Sequence, residues 1–385
     1  MINLDSYILN DFFETLNLKQ INYCVMNNYD DMPEIIPSDV DFAVDLKTYH
    51  QLDSLVEKLA EKHNVSITQK IWHGYHKCAY ILSPLNIENY FWLQLDFFVD
   101  FSGKGFPNLF PSSNMLSGKR KYKNFYIPGI EIEAPFLLQR RIFKRDMKER
   151  HIATLKKLYD ADVEKVESGV VQVFGQKQGA SLIKMIKNQD IRLFNDQFSA
   201  YRKQLRKIST SNTDIVYRIK YVYWQLIRAI YRLYYPTGLS IAFIGRDTDA
   251  KRDFIDAFDQ KISGSFHGTV NILPKKISDY IGGMIIKDYW SKVTKRKVLW
   301  NLDTSVKNWE AVFSSRLCFF KPDVVINIYD GLEDVMQNKE CKHFILNQDK
   351  SQNEEILKEC IHKALSIQAA RTNRHLMNPF SPTAR

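Results

Sequence analysis

Apolar and polar positions follow three different rhythms along the chain. Up to about residue 135, short apolar runs of strand length alternate with helical spacing. The pattern predicts a helix near 6–16, a strand at 21–26, a strand around 38–44, a helix from 48 to about 62, and strands at 65–71, 77–83 and 93–100. From 136 to 235 the apolar spacing becomes that of amphipathic helices, predicted at 136–158, 179–188, 190–208 and 213–235. Beyond 236, strand-like runs return at 239–245, 297–300 and 321–330, with helices starting near Asp253 and after Gly331. The expected architecture is therefore a multidomain α/β protein. It has an α/β domain over 1–135, a basic helical connecting region over 136–235, and a second α/β domain over 236–385.

Composition narrows the class. The 385 residues, 45% hydrophobic and 13% aromatic, suit two or three packed domains rather than a disordered chain. A formal charge of +10 points to an anionic partner: nucleotide, phosphorylated sugar, nucleic acid or anionic membrane surface. Cys24, Cys78, Cys318, Cys341 and Cys360 lack the paired spacing of a zinc site or a disulfide framework, so a reducing cytoplasm is expected. The N-terminal segment has no secretory pattern, and no apolar run reaches spanning length.

The candidate chemistry lies in Ser38-Asp39-Val40-Asp41-Phe42. On a strand, Asp39 and Asp41 project to one face, where two carboxylates repel unless a cation intervenes. Asp96, in the apolar run Leu93 to Phe98, is a third acid that a neighbouring strand would bring to them. Asp-x-Asp pairs are common, but charge inside an apolar run is costly and calls for a partner. Mg²⁺ or Mn²⁺ fits such oxygen ligands together with substrate phosphates.

These residues resemble the polymerase-β-like nucleotidyltransferase superfamily, whose pattern is a Gly-Gly or Gly-Ser turn, a hydrophobic-Asp-hydrophobic-Asp run and a third acid on a later strand. A bacterial group associated with surface-polysaccharide genes is closer, through Tyr23-Cys24-Val25-Met26-Asn27-Asn28-Tyr29, Met32-Pro33 and Ser38 to Asp41, over about residues 18–145. The resemblance implies a nucleotidyltransferase-fold domain with Asp39, Asp41 and Asp96 as catalytic metal ligands, an NTP substrate, and a small-molecule or glycan-precursor acceptor. The glycine pair is missing. Asn27 and Asn28 stand at the turn, and Ser38 either helps bind phosphate or is a plain turn residue.

A second resemblance, to thymidylate-kinase-type phosphate loops, is carried by Gly245, Asp247 and Lys251 after the strand at 239–245, and by Lys321-Pro322-Asp323 before a later strand. It implies a P-loop-kinase-like domain. Thr248, Ala250 and Arg252 replace two glycines and the metal-binding hydroxyl, so eroded phosphate chemistry is expected. A nucleotide- or phosphosugar-binding scaffold without catalysis and a kinase acting through this domain are the alternative functions.

Two basic segments stay open between readings. Arg140, Arg141, Lys144 and Arg145 either line the acidic cleft or form a solvated face, and Lys104 is either a phosphate contact or a loop lysine. The 213–235 helix interleaves Arg218, Lys220, Arg228 and Arg232 with tyrosines and Trp224. It suits packing between domains, a membrane surface, or stacking on nucleic acid, for which no separate motif is present. The expected location is cytoplasmic, with a peripheral place at the inner membrane face left open by that helix.

Overall fold

The computed structural model describes residues 3–85, 90–103, 105–246, 248–262, 266, 268–273, 285–294, 296–303, 322–329, 343–345 and 350–376. Asp247, Lys104 and the start of the predicted helix at 331–335 lie outside them. The described residues form an α/β protein with several sheets. None of their helices is long and apolar enough to cross a membrane.

The first part runs α1 (Leu4–Leu18), β1 (Tyr23–Val25), β2 (Val40–Val44), α2 (Leu46–Tyr49), α3 (Leu52–Lys62), β3 (Ser66–Gly74), β4 (Lys77–Ser83) and β5 (Leu93–Phe98). The five strands form one mixed sheet in the order β1-β2-β5-β4-β3. Its parallel pair, β2 with β5, sets Asp41 directly opposite Asp96. One predicted helix is two here, because the Asp45 carboxylate caps α2 by accepting from the Thr48 N–H at 2.7 Å, and α3 starts afresh after Gln51. Phe12 and Phe13 of α1, Phe42 of β2 and Phe97 of β5 fill the core on one face of this sheet, Phe42 and Phe97 stacking at 5.0 Å.

Ten further elements follow: β6 (Asp100–Gly103), β7 (Phe106–Pro111), α4 (Ser112–Ser117), β8 (Arg120–Tyr122), β9 (Phe125–Ile127), α5 (Ile130–Lys144), α6 (Glu149–Ala161), α7 (Val163–Asn188), α8 (Ile191–Asp196) and α9 (Phe198–Ser211). The β8/β9 hairpin completes the first core through Phe125 and Ile127, and the others cover the opposite face or extend the layer upon it. Cys24, Ala43 and Phe98 of the sheet share a single buried core with Leu138 and Ile142 of α5 and Val166 and Val170 of α7. The helical region therefore packs as a layer of the first domain.

Helix α5 begins at Ile130, ahead of Pro135, which the chain absorbs inside the helix. Proline lacks the N–H that would bond the carbonyl of Glu131. Helix α7 crosses there, and a Cβ on Gly169 would sit 1.9 Å from that carbonyl oxygen, so only glycine permits the approach. The predicted 136–158 helix is broken at Arg145, whose left-handed backbone (φ 53°) turns the chain so that α6 folds back beside α5. Helix α7 is likewise bent at Gly175 (φ 74°).

Helix α10 (Ile215–Tyr234), capped by Asp214, leads to the last part: β10 (Leu239–Gly245), α11 (Asp249–Ile262), β11 (Thr269–Ile272), α12 (Ile285–Val293), β12 (Lys297–Asp303), β13 (Val324–Tyr329), β14 (His343–Ile345) and α13 (Lys350–Leu376). Its strands form an all-parallel sheet in the order β11-β12-β10-β13-β14. The chain leaves β10 toward one edge and β13 toward the other, which makes the β10/β13 boundary a topological switch point. Helix α13 also touches the first sheet, where the Thr372 hydroxyl donates to the Thr68 carbonyl at 2.9 Å.

Candidate functional site

The parallel register of β2 and β5 brings Asp41 and Asp96 together, and Asp39, one residue before β2 begins, joins them. Ligand oxygens of the three carboxylates lie within 4.8 Å of one another. Asp41 and Asp96 are buried and Asp39 half-buried.

Each acid is anchored by one oxygen. Ser38 donates to Asp39 Oδ1 at 2.9 Å, Gln94 to Asp96 Oδ1 at 2.9 Å, and Asn27 to Asp41 Oδ2 at 2.9 Å. Arg140 also donates to Asp41 Oδ2 at 2.7 Å, and to the Asn27 carbonyl oxygen of the side chain at 2.7 Å. The second oxygen of each carboxylate accepts no hydrogen bond among the described residues. Three hard oxygens fixed from behind and free in front fit a divalent cation of the Mg²⁺ or Mn²⁺ type.

Electrostatics point the same way. Burial and then the Asp41 charge push the Asp96 carboxyl up to about 7. The same two causes, in the same order, raise Asp39. Lys77, seated over the Phe98 ring at 4.4 Å, has its ammonium pKa lowered by burial, against the pull of Asp96 and Asp41. Without a cation, the triad resists full ionisation; a divalent ion relieves that cost.

A cleft of about 570 Å³ adjoins the acids through Asp39, Asn27 and Arg140, within the usual size of a small-ligand site. Its other walls include Asn28, Ser38, Arg141, Lys144, Arg150 and His151. Burial, then Arg140 and Arg141, lower the Lys144 ammonium pKa; burial and Arg141 lower that of His151. Asp146, also in this wall, pairs with Arg141 at 3.0 Å and offsets part of that charge; the remaining excess of cations favours an anion between them.

Asn27 and Asn28 divide the work expected of the glycine turn. Asn28 adopts the left-handed backbone (φ 55°) that glycine usually supplies and that asparagine tolerates. Asn27 is buried as the link between Asp41 and Arg140.

Arg145 points elsewhere, stacking its guanidinium on Phe198 at 5.0 Å. Arg150 and His151 join the cleft without having been expected there, because a continuous helix over 136–158 would carry them past the acids. The one hint is sparse apolar spacing, with Met147 alone between Phe143 and Ile152.

Gly245 and Lys251 belong to a different place. A Cβ on Gly245 would lie 2.1 Å from the Ile328 carbonyl oxygen, so this glycine allows β10 and β13 to approach. Lys251 is fully buried, its ammonium donating to the carbonyls of Gly245 at 2.9 Å and Leu302 at 2.7 Å. Asp247 lies outside the described residues. No protein-family model, no curated protein and no solved structure matches the chain.

Proposed function

We propose that this chain is a metal-dependent nucleotidyltransferase that moves a nucleotidyl group from an NTP to a hydroxyl or phosphate of a small-molecule or glycan-precursor acceptor. The carrying observation is the Asp39, Asp41 and Asp96 cluster, each acid anchored through one oxygen, at the edge of a basic cleft. The parallel β2/β5 pair that aligns the acids accords with a nucleotidyltransferase fold, and the parallel second sheet with a P-loop-kinase-like one.

Asp39, Asp41 and Asp96 would hold Mg²⁺ or Mn²⁺, which supplies charge neutralisation and Lewis-acid polarisation of the phosphates. Arg141, Lys144 and Arg150 bind the triphosphate and hold it in line for displacement. Arg140 fixes the Asp41 carboxylate and the Asn27 turn beneath it. The acceptor oxygen attacks the α-phosphorus, pyrophosphate departs, and Asp96 takes the acceptor proton. The test is pyrophosphate release from each NTP with Mg²⁺ or Mn²⁺ across phosphosugars, polyols and oligonucleotides. Wild-type turnover that vanishes in folded Asp39→Asn is expected; equal turnover in that variant contradicts the proposal.

A second reading, nucleotide or phosphosugar binding without transfer, is favoured by one observation: Arg140 already neutralises Asp41. It predicts no metal-dependent NTP binding in calorimetry and no pyrophosphate release on any acceptor. Kinase action through the last domain has less support, since the Lys251 ammonium is committed to backbone carbonyls.

A further inference from the structure

Helix α10 is built inside out. Part of its polar and aromatic set faces the protein, while Tyr223 and Tyr234 are exposed: Tyr217 donates to Asp100 Oδ2 at 2.6 Å, Tyr221 to the Gly103 carbonyl at 3.0 Å, Arg228 to the His73 carbonyl at 2.5 Å and Arg232 to the Trp72 carbonyl at 2.9 Å. Trp224 and Tyr231 pack their rings against Trp72 of β3. The aliphatic side chains point outward, Ile215, Ile219, Val222, Leu226, Ile230 and Leu233 all being exposed at spacings of three and four residues. Ile219 is 65% and Leu226 61% accessible, whereas Tyr221 on the inner face is 8%.

The patch continues onto α12, which adjoins the end of α10 through the Tyr289 hydroxyl and the Leu233 carbonyl. Ile286 and Trp290 of α12 are exposed, Trp290 to 60%. An aliphatic stripe of this extent on an exposed surface calls for a covering partner.

Charge identifies the partner. No Asp or Glu occurs between Ile215 and Tyr235. On α12 the one acid, Asp288, is buried, accepting from Ser240 and Trp300 and paired with Lys292. Among the described residues of α10 and α12 the exposed charges beside the patch are Arg218, Lys220 and Lys287, all cationic, and the one exposed acid next to them, Asp214, sits at the α10 N-cap, where it accepts from the Tyr217 N–H. A second copy of the chain on the same face would bring identical cations together across a two-fold axis. Nucleic acid is disfavoured because the exposed face is mainly aliphatic: Trp224 and Tyr231 pack on Trp72, and Tyr223 and Tyr234 are the exposed rings among Ile215, Ile219, Val222, Leu226, Ile230 and Leu233.

We propose that the outer face of α10, extended by Ile286 and Trp290, docks this protein on an anionic lipid bilayer, lying along the headgroup boundary without crossing it. The helix is about 30 Å long, and a stripe of this kind enters the interface with cations contacting lipid phosphates. The proposal is independent of the acidic site.

The test is flotation of the full chain with vesicles of phosphatidylcholine alone or with about 30 mol % phosphatidylglycerol. The chain is expected to float with the anionic vesicles and not the neutral ones, and to be released by about 0.5 M salt. Leu226→Asp/Ile230→Asp, at exposed positions, abolishes flotation while circular dichroism and Mn²⁺ binding stay at wild-type values. Lys220→Glu/Lys287→Glu, which leaves the apolar stripe intact, weakens partitioning about fivefold or more. No flotation of wild type at low salt, or equal flotation of the aspartate variant, overturns the proposal. So does a lipid-free dimer, by sedimentation equilibrium, that the same aspartates dissociate.

Discussion

Arg140 and Asp41 meet at 2.7 Å beneath the acidic cluster, and both side chains are buried. The guanidinium serves Asp41 and the Asn27 turn together, so one cation fixes a proposed metal ligand and the loop that faces the cleft. Removing one partner of such a pair leaves the other charge uncompensated. Arg140→Ala is expected to destabilise the metal-free protein by about 3–5 kcal/mol. Mn²⁺ restores part of that loss, so the metal-induced rise in Tm is larger in the variant than in wild type. Thermal melts with and without Mn²⁺ measure it; identical metal shifts in both proteins contradict the assignment.

Asp39 and Asp41 differ in what they support. Asp39 is half-buried, held by Ser38, and strained by burial and by Asp41, whereas Asp41 carries Asn27 and Arg140. Asp39→Asn is expected to change metal-free stability by no more than about 1 kcal/mol while abolishing metal binding. Asp41→Asn unfolds at lower urea concentration than Asp39→Asn. Urea titrations of the two variants side by side decide this, and the reverse order would refute it.

Glu133 predicts a pH dependence away from the metal site. It accepts from Tyr29 at 2.6 Å and from Arg120 at 3.2 Å, yet burial outweighs both and pushes its carboxyl from 4.5 up to about 7. Arg120 is two-fifths exposed, which weakens its pull. The native state therefore holds a proton that the unfolded chain releases near pH 4.5, and stability falls as pH rises between those values. The loss reaches at most about 3 kcal/mol. Glu133→Gln removes this part of the slope; urea midpoints from pH 4.5 to 8 that fall equally steeply in both proteins would exclude the explanation.

Lys251 is expected to act as a structural residue. Its ammonium ties the ends of β10 and β12 through Gly245 and Leu302. Lys251→Met should lower the stability of the second α/β domain by about 2 kcal/mol or more, since charged hydrogen bonds to buried carbonyls are lost. Nucleotide binding at the acidic site should be unchanged. Hydrogen exchange resolves this: weakened protection confined to β10 to β13 is the expected result, and wild-type protection there is the contrary one.

Much of the acidic site was legible because strand periodicity is simple: Asp39 and Asp41 are two residues apart in an apolar run, and Asp96 sits in another. What periodicity cannot express is long-range partnership. The pairing of Arg140 with Asp41 spans 99 residues. The return of α6 depends on one left-handed residue, Arg145, which carries no glycine to announce it. Helix α10 shows amphipathic spacing in the sequence, but which face turns inward is decided by Trp72, Asp100 and the carbonyls of β3. The phosphate-loop resemblance around Gly245 and Lys251 was legible as a strand and helix, while the burial of the lysine depends on the neighbouring strand.

If Asp39, Asp41 and Asp96 hold a divalent cation at the head of a triphosphate cleft, the protein must remove that cation from solution. Electron paramagnetic resonance of free Mn²⁺, titrated with protein in the presence of a non-hydrolysable NTP analogue, reads this directly. Wild type is predicted to quench the free-ion signal with saturation, and folded Asp39→Asn/Asp96→Asn to leave it unchanged. A signal that wild type does not diminish, or that the double variant diminishes equally, would contradict the metal assignment and the transfer chemistry built on it.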